Sequence, residues 1–160
     1  MERGRQHGDG SDLIAAFDSV VRANSSVVTQ MSARAGIHES ALRALSLISD
    51  TGYSTPTEVA GFLGLTSGAV TNMVDRLSAA GFVERRRNPN DRRGSLLVLS
   101  PAGDEVVAEV RQRYADVLRT VDATVPDDLL NALNDIATGL LQQAADISAA
   151  KDAAKDTDGT

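Results

Sequence analysis

The chain has 160 residues, of which 42% are apolar and only 3% aromatic, and its formal net charge is −6. Because it contains no cysteine, a disulfide framework, a thiolate metal site and a thiol redox sensor are excluded. The polar first residues and the lack of about 20 consecutive apolar residues indicate neither a signal peptide nor a membrane span, so we expect one soluble cytoplasmic domain over residues 1–160.

The charge is unevenly distributed along the chain. The acidic excess lies in the last third, whereas five arginines fall within the nine residues from Arg85 to Arg93. Binding to nucleic acid depends on such local clusters, so the acidic total does not exclude it.

Apolar residues recur at helical spacing along most of the chain, which predicts a mainly α-helical protein. The first helix is predicted from about residue 12 to 33. The second covers "ALRALSLISD" and ends at Gly52, because glycine readily adopts the left-handed conformation of a helix C-cap.

Two shorter helices are predicted next. Thr55, Pro56 and Glu58 form the pattern of a capping box with proline at the first helical position, which indicates a helix start. A further helix is predicted to begin at Thr66 and to stop at Gly81.

A β-hairpin is predicted after these helices. Its strands lie in "FVERRR" and "SLLVLS", and the polar sequence "NPND" supplies the turn between them. Ser100 and Pro101 then repeat the cap-and-proline start of a helix, which continues to about residue 123. The last helix is predicted from Pro126 to about residue 149. The fold class is therefore mainly α with a small β-hairpin.

The two short helices have the spacing of a helix-turn-helix. Ala60 lets the helices approach closely, Gly64 permits the left-handed turn, and Val70 seats the second helix on the first. These three positions alone do not exclude the alternative, an ordinary helical hairpin within a bundle.

The β-hairpin that follows favours the helix-turn-helix. A helix-turn-helix followed at once by a hairpin with an arginine-bearing turn is a winged helix, in which one helix occupies the major groove of DNA and the turn enters the minor groove. The alternative is a charged hairpin that is merely solvated, as most charge runs are. The position of the cluster and the acidity of the remaining chain argue against that alternative.

The stretch from Thr57 to Gly103 contains, in order, "TEVAGFLGL", "VTNMVDRL", "GFVERRRNPNDRRG" and "LSPAG". In these motifs and their spacing the sequence resembles the MarR family of bacterial transcription regulators. The resemblance implies a winged helix-turn-helix fold that binds double-stranded DNA. It also implies a ligand-responsive homodimeric repressor, with a recognition helix in the major groove of a pseudo-palindromic operator and an arginine-bearing wing in the minor groove.

The resemblance also assigns individual residues to the DNA interface. They are Thr66, Ser67, Gly68, Ala69, Thr71, Asn72, Arg76, Asn88, Asp91, Arg92 and Arg93. Arg92 is expected at the tip of the wing, where Asp91 and Arg93 brace the turn. The same resemblance gives Asp75 a structural role, which is to position basic residues near the recognition helix.

The outer helices gain a role from this interpretation. Residues 12–33 and 101–149 are expected to be dimerisation helices that flank a winged-helix region over 38–99, with flexible ends at 1–11 and 150–160. An apolar seam on the last helix alternates at three and four residues: Leu130, Leu133, Ala137, Leu140, Ala144 and Ile147. The alternative is packing within one chain. We favour the dimer, which fits two-fold symmetric operators.

The resemblance further implies a cleft for a small aromatic or drug-like effector, between the dimerisation helices and the winged helix. The residues that could line it are Phe17, His38, Arg43, Tyr53 and Tyr114. Each of them also has an ordinary structural role open to it, as a core, helix-start, solvated or loop residue. Because His7 and His38 are the only histidines, we expect no metal site and no cofactor.

Three rival hypotheses differ from this one. The sequence has no phosphate-binding loop and no nucleophile paired with a base, so we do not expect an enzyme. An interaction module that had lost DNA binding would lack the arginines of the hairpin, which are present here. A regulator of another winged-helix family would differ in how its terminal helices build a dimer.

Overall fold

The computed structural model describes residues 10–89, 94–121 and 128–157. These residues form six helices and two strands, in the order α1 (Gly10–Ala35), α2 (Glu39–Thr51), α3 (Pro56–Leu63), α4 (Ser67–Ala79), β1 (Val83–Arg87), β2 (Ser95–Leu99), α5 (Pro101–Val121) and α6 (Leu129–Thr157). The predicted fold class, mainly helical with one antiparallel hairpin, is confirmed.

Internal contacts divide the chain into two compact units, Met1–Tyr114 and Ala115–Thr160, with the boundary inside α5. The core of the first unit consists of aliphatic side chains from α2, α3, α4, both strands and α5. Its buried members are Ala41, Ala44, Leu45, Ile48, Val59, Val70, Val74, Leu77, Val83, Leu97 and Val107. A smaller cluster of Met31, Leu42 and Val110 packs α1 against α2 and α5.

The helix ends predicted around residues 55–66 are confirmed. Thr55 Oγ1 accepts a hydrogen bond from the backbone N–H of Glu58, and the Glu58 carboxylate accepts one from the backbone N–H of Thr55 at 2.6 Å. Gly64 has φ = +65°, the left-handed turn that the helix-turn-helix requires. The fourth helix begins one residue later than predicted, because Thr66 is its N-cap and accepts from the N–H of Ala69.

The hairpin pairs β1 with β2 in antiparallel register, from Val83 opposite Leu99 to Arg87 opposite Ser95. A third segment joins its edge, because Ser54 and Leu97 exchange both backbone hydrogen bonds, at 3.0 and 2.7 Å. Sequence analysis did not predict this bridge, since a single paired residue has no alternation of polar and apolar side chains to reveal it.

In the sequence "SPAG", hydrogen bonds of Ser100 link the start of α5 to the residue Gly81 that follows α4. Ser100 Oγ accepts from the N–H of Gly103 at 3.1 Å and donates to the carbonyl of Gly81. A Cβ on Gly103 would lie 2.2 Å from the carbonyl oxygen of Phe82, so only glycine fits here without a backbone shift. The predicted cap at Ser100 is confirmed, and Gly103 has a packing reason that the sequence did not show.

The chain ends depart from the prediction. Helix α6 continues to Thr157, past the predicted end at residue 149. The alanine-rich sequence "AAKDAAKD" has a high helix propensity, which accounts for the extension. Helix α1 likewise begins at Gly10, inside the start that was expected to be flexible. Residues 122–127, where the last two helices were predicted to end and begin, lie outside the described residues.

No helix in the described part of the chain is both long enough and apolar enough to cross a membrane.

Candidate nucleic-acid interface

Helix α4 has one buried and one exposed face. Val70, Val74 and Leu77 anchor it in the core, each at 2% exposure or less. The exposed face carries Ser67, Gly68, Ala69, Thr71, Asn72, Asp75 and Arg76. Its N-terminal turn has only small side chains, so another molecule can approach the helix backbone closely there.

Two hydroxyl groups of α4 are used within the helix. Thr66 Oγ1 accepts from the N–H of Ala69 at 3.3 Å and caps the helix. Thr71 Oγ1 donates to the carbonyl of Ser67 at 2.9 Å, one turn earlier. The side-chain amide of Asn72 forms no hydrogen bond with another of the described residues.

The wing is defined here as β1, β2 and the turn between them. Arg85 of β1 reaches back to α4, where its Nη2 lies 2.6 Å from Asp75 Oδ1. Arg86 pairs with Glu84 on its own strand at 3.2 Å. The ion pair between Arg85 and Asp75 therefore links the wing to the exposed face of α4, at the residue to which the resemblance gave a structural role.

The turn of the wing is only partly described. The backbone N–H of Asn88 donates to the carbonyl of Gly94 across the turn, at 3.4 Å. Asp91, Arg92 and Arg93, which were predicted at its tip, lie outside the described residues.

A cavity of about 460 Å³ lies between the start of α2 and α4. Four predicted residues line it: His38 from the α2 side, and Ala69, Asn72 and Arg76 from α4. Its walls are completed by apolar groups, including Ile37, Leu65, Met73 and Leu77. His38 also serves as the N-cap of α2, where its Nδ1 accepts from the N–H of Ser40 at 3.2 Å.

The five residues predicted for an effector cleft do not come together in one cavity. Arg43 lies over the ring of Phe62, 5.5 Å from its centroid, and Tyr53 lines a shallow groove with the same Phe62. Tyr114 Oη donates to Asn24 Oδ1 at 2.7 Å, between α5 and α1. Phe17 is half-buried on α1, and His38 lies in the cavity beside α4.

Sequence analysis did not identify two residues that contact the predicted site residues, Phe62 and Arg85. Phe62 is an exposed aromatic side chain that lies beneath Arg43 and lines a groove with Tyr53, and sequence analysis assigned it no role. Arg85 was one of five clustered arginines, and nothing in the spacing from residue 75 to 85 indicates its ion pair.

Comparison with known proteins identifies this geometry. The model of the MarR family matches residues 37–95, which span α2, both helices of the helix-turn-helix and the wing as far as the start of β2. The chain belongs to the MarR family. The multiple antibiotic resistance protein MarR of Salmonella typhimurium is 41% identical over 71 residues, which cover 44% of this chain and 49% of that protein. The match thus spans about half the length of that curated relative.

Solved structures of MarR-family proteins extend the similarity beyond this segment. A mutant MarR from E. coli, solved in complex with operator DNA, superposes with a TM-score of 0.57 and 26% identity, over 81% of this chain and 94% of that one. RV1404 from Mycobacterium tuberculosis gives a TM-score of 0.65 and 27% identity, over 82% and 94% of the two chains. The fold of this MarR-family member is a winged helix-turn-helix.

Proposed function

We propose that this MarR-family member is a DNA-binding transcription regulator that acts in the bacterial cytoplasm as a ligand-responsive homodimeric repressor, and that it is not an enzyme. The two compact units are then parts of one functional domain. The observation that carries the proposal is the exposed face of α4, held beside the cationic wing by the Asp75–Arg85 ion pair. The operator complex of the related E. coli protein supports it.

The chemistry of α4 suits the major groove. Small side chains at its start allow close approach of the phosphates and base edges to the helix N-terminus. The side-chain amide of Asn72 is not hydrogen-bonded to another described residue. It can accept from the N6 amino group of adenine and donate to adenine N7. Arg76 is exposed and offers its guanidinium to guanine or to a phosphate.

The wing suits the minor groove. Arg85 is engaged by Asp75, so its proposed role is to brace the wing. The groove contact is assigned to Arg92, with Arg93 and Asp91 beside it, because narrow A·T-rich minor grooves concentrate negative potential and attract guanidinium groups. Backbone contacts through Thr66, Ser67 and Asn88 would set the position of the helix on the duplex.

The terminal helices support the homodimer. In one chain, Leu130, Leu140 and Leu141 of α6 are 69%, 53% and 70% exposed. On α1, Leu13, Ile14 and Val20 are exposed by 65% or more. Apolar surface on this scale is characteristic of a protein interface, and a second copy with the same two helices can cover it symmetrically.

The cavity beside α4 supports the effector. It is mainly apolar and brings together His38, Asn72 and the guanidinium of Arg76, which suits a small aromatic acid. A ligand there would contact three residues that are assigned to DNA, Ala69, Asn72 and Arg76. Effector and operator would therefore compete, as a repressor released by its ligand requires.

Affinity selection from random DNA by the purified protein tests the function. We expect a two-fold symmetric motif whose half-site centres are about 10 bp apart or a small multiple of that. Asn72→Ala or Arg76→Ala should cost about 1–3 kcal/mol at a matched base pair. Arg22→Ala removes an exposed charge from α1, outside the proposed DNA interface, and is the matched control for Arg76→Ala.

The role of Arg92 is measured by fluorescence anisotropy across a salt series. Arg92→Ala should weaken binding to specific and random DNA alike. The log–log salt slope should fall by up to about 0.9 for each phosphate that is no longer neutralised, hence by about twice that in a dimer. Arg92→Lys should recover part of the affinity, because lysine keeps the charge without the planar fork. Parent-like binding by Arg92→Ala at every salt concentration would remove the wing from the mechanism.

A further inference from the structure

Three side chains follow one another along one face of α4 at intervals of one turn: Ser67, Thr71 and Asp75. The hydroxyl of Thr71 donates to the backbone carbonyl of Ser67 at 2.9 Å. The carboxylate of Asp75 is held by Arg85 at 2.6 Å. The O–H of Thr71 and one carboxylate oxygen of Asp75 are therefore engaged within the protein.

This commitment decides what Thr71 can present to a base. A threonine inside a helix that donates to the carbonyl four residues earlier has no O–H left to donate, so it presents its methyl group and the acceptor lone pairs of Oγ1. Thymine offers no donor to those lone pairs in the major groove, so only the methyl group can contact it favourably. Thr71 is exposed. In the turn before it, Ser67 has a small side chain and Gly68 has none, so neither prevents a base from approaching Thr71.

Among the four bases, only thymine offers a methyl group in the major groove. We infer that Thr71 recognises thymine by contact between its own methyl group and the thymine C5-methyl, and not by a hydrogen bond. The inference rests on the proposed DNA-binding function and deepens it, since it names one base in each half-site.

Uracil substitution in the selected operator isolates this contact, because uracil lacks only the C5-methyl and keeps the base pairing. Each thymine is replaced in turn, and affinity is measured by anisotropy with the full-length dimer. One symmetry-related pair of positions should lose affinity about fourfold per half-site, and about 15-fold when both are replaced, the effect of removing one buried methyl from each.

Two variants of Thr71 separate the methyl from the hydroxyl. Thr71→Ser removes the methyl and should bind thymine and uracil operators equally. Thr71→Val keeps a methyl, loses the hydroxyl and should still prefer thymine. Thr138→Ser on α6, whose threonine makes the same type of bond to the carbonyl of Asn134 at 2.9 Å, is the matched control and should behave like the parent. Thermal melting checks that each variant is folded.

The outcomes distinguish the two proposals. A parent that recovers no preferred DNA and binds none would overturn the DNA-binding function and this inference with it. Specific binding in which no thymine is distinguished from uracil overturns the inference alone. The inference is likewise overturned if Thr71→Ser retains the thymine preference, or if Thr71→Val loses it.

Discussion

Leucine side chains are buried in the winged-helix region but exposed on helix α6. In the winged-helix region, Leu45 and Leu97 are fully buried and Leu77 is 2% exposed. On α6, Leu130 and Leu141 are about 70% exposed in the same chain. The first region completes its core within one chain, whereas the apolar face of α6 is exposed in that chain. Burial thus places the folding core in the winged-helix region, and the proposed homodimer would assign assembly to α6.

The largest effect is expected from a charge on α6. Leu140→Asp would place one unpaired carboxylate per chain, hence two per dimer, in the proposed apolar interface, at a cost of about 3–5 kcal/mol each. The dimer dissociation constant should rise by more than about a hundredfold, and a monomer should appear in sedimentation equilibrium at micromolar concentration.

Asn131→Asp adds the same charge on the polar side of α6, opposite Leu140, and is the matched control, which should leave the dimer intact. The winged-helix region of Leu140→Asp should stay folded, because Leu140 is 53% exposed in one chain. A parent protein that sediments as a stable monomer would refute the assignment of α6 to assembly.

The next largest effect is expected from replacing a glycine in each of the two regions, at Gly103 and at Gly139. Gly103→Ala forces a Cβ to within 2.2 Å of the Phe82 carbonyl oxygen, and the required backbone shift should cost about 1–3 kcal/mol of unfolding free energy. Gly139 on α6 has no atom within 4 Å of its Cβ position among the described residues, so Gly139→Ala should be neutral or stabilise by about 0.5–1 kcal/mol. Urea unfolding of the two variants gives both values. Equal effects would show that the start of α5 is not tightly packed on Phe82.

The smallest effect is expected from the ion pairs on the surface of the first unit. Arg113, and then Arg34, hold the pKa of the Glu109 carboxyl below its usual value of 4.5. A carboxyl whose pKa is lowered in the folded state stabilises the fold above the usual value and loses that contribution as the pH falls through the lowered one. Glu109→Gln should therefore melt slightly below the parent at neutral pH, and the difference should vanish in acid.

Glu105→Gln is the control for this pH series. It removes the same charge from α5 at a residue outside the cluster of Arg34, Glu109 and Arg113, and its melting difference from the parent should change less with pH. A constant difference between Glu109→Gln and the parent at all pH values would mean that the ion pairs contribute nothing to stability.

The sequence by itself determined the features whose causes lie within a few residues. The capping box at Thr55 and Glu58, the left-handed turn at Gly64 and the cap at Ser100 are local hydrogen bonds or local backbone preferences, and each stands where it was predicted. The hairpin was equally local, since its two strands are joined by one short turn. The motifs from Thr57 to Gly103 led to the family for the same reason.

Only the tertiary structure decided the contacts between residues that are distant along the chain. The ion pair of Asp75 with Arg85, the backbone bridge of Ser54 with Leu97 and the approach of Phe82 to Gly103 depend on how helices and strands pack, and no periodicity encodes a partner. Packing also placed His38 in the cavity beside α4 and Tyr114 between α5 and α1, although both were expected to line one effector cleft. Amphipathic periodicity shows which face of a helix is apolar, but the chain's own packing decides whether that face is buried, as on α4, or left exposed, as on α6.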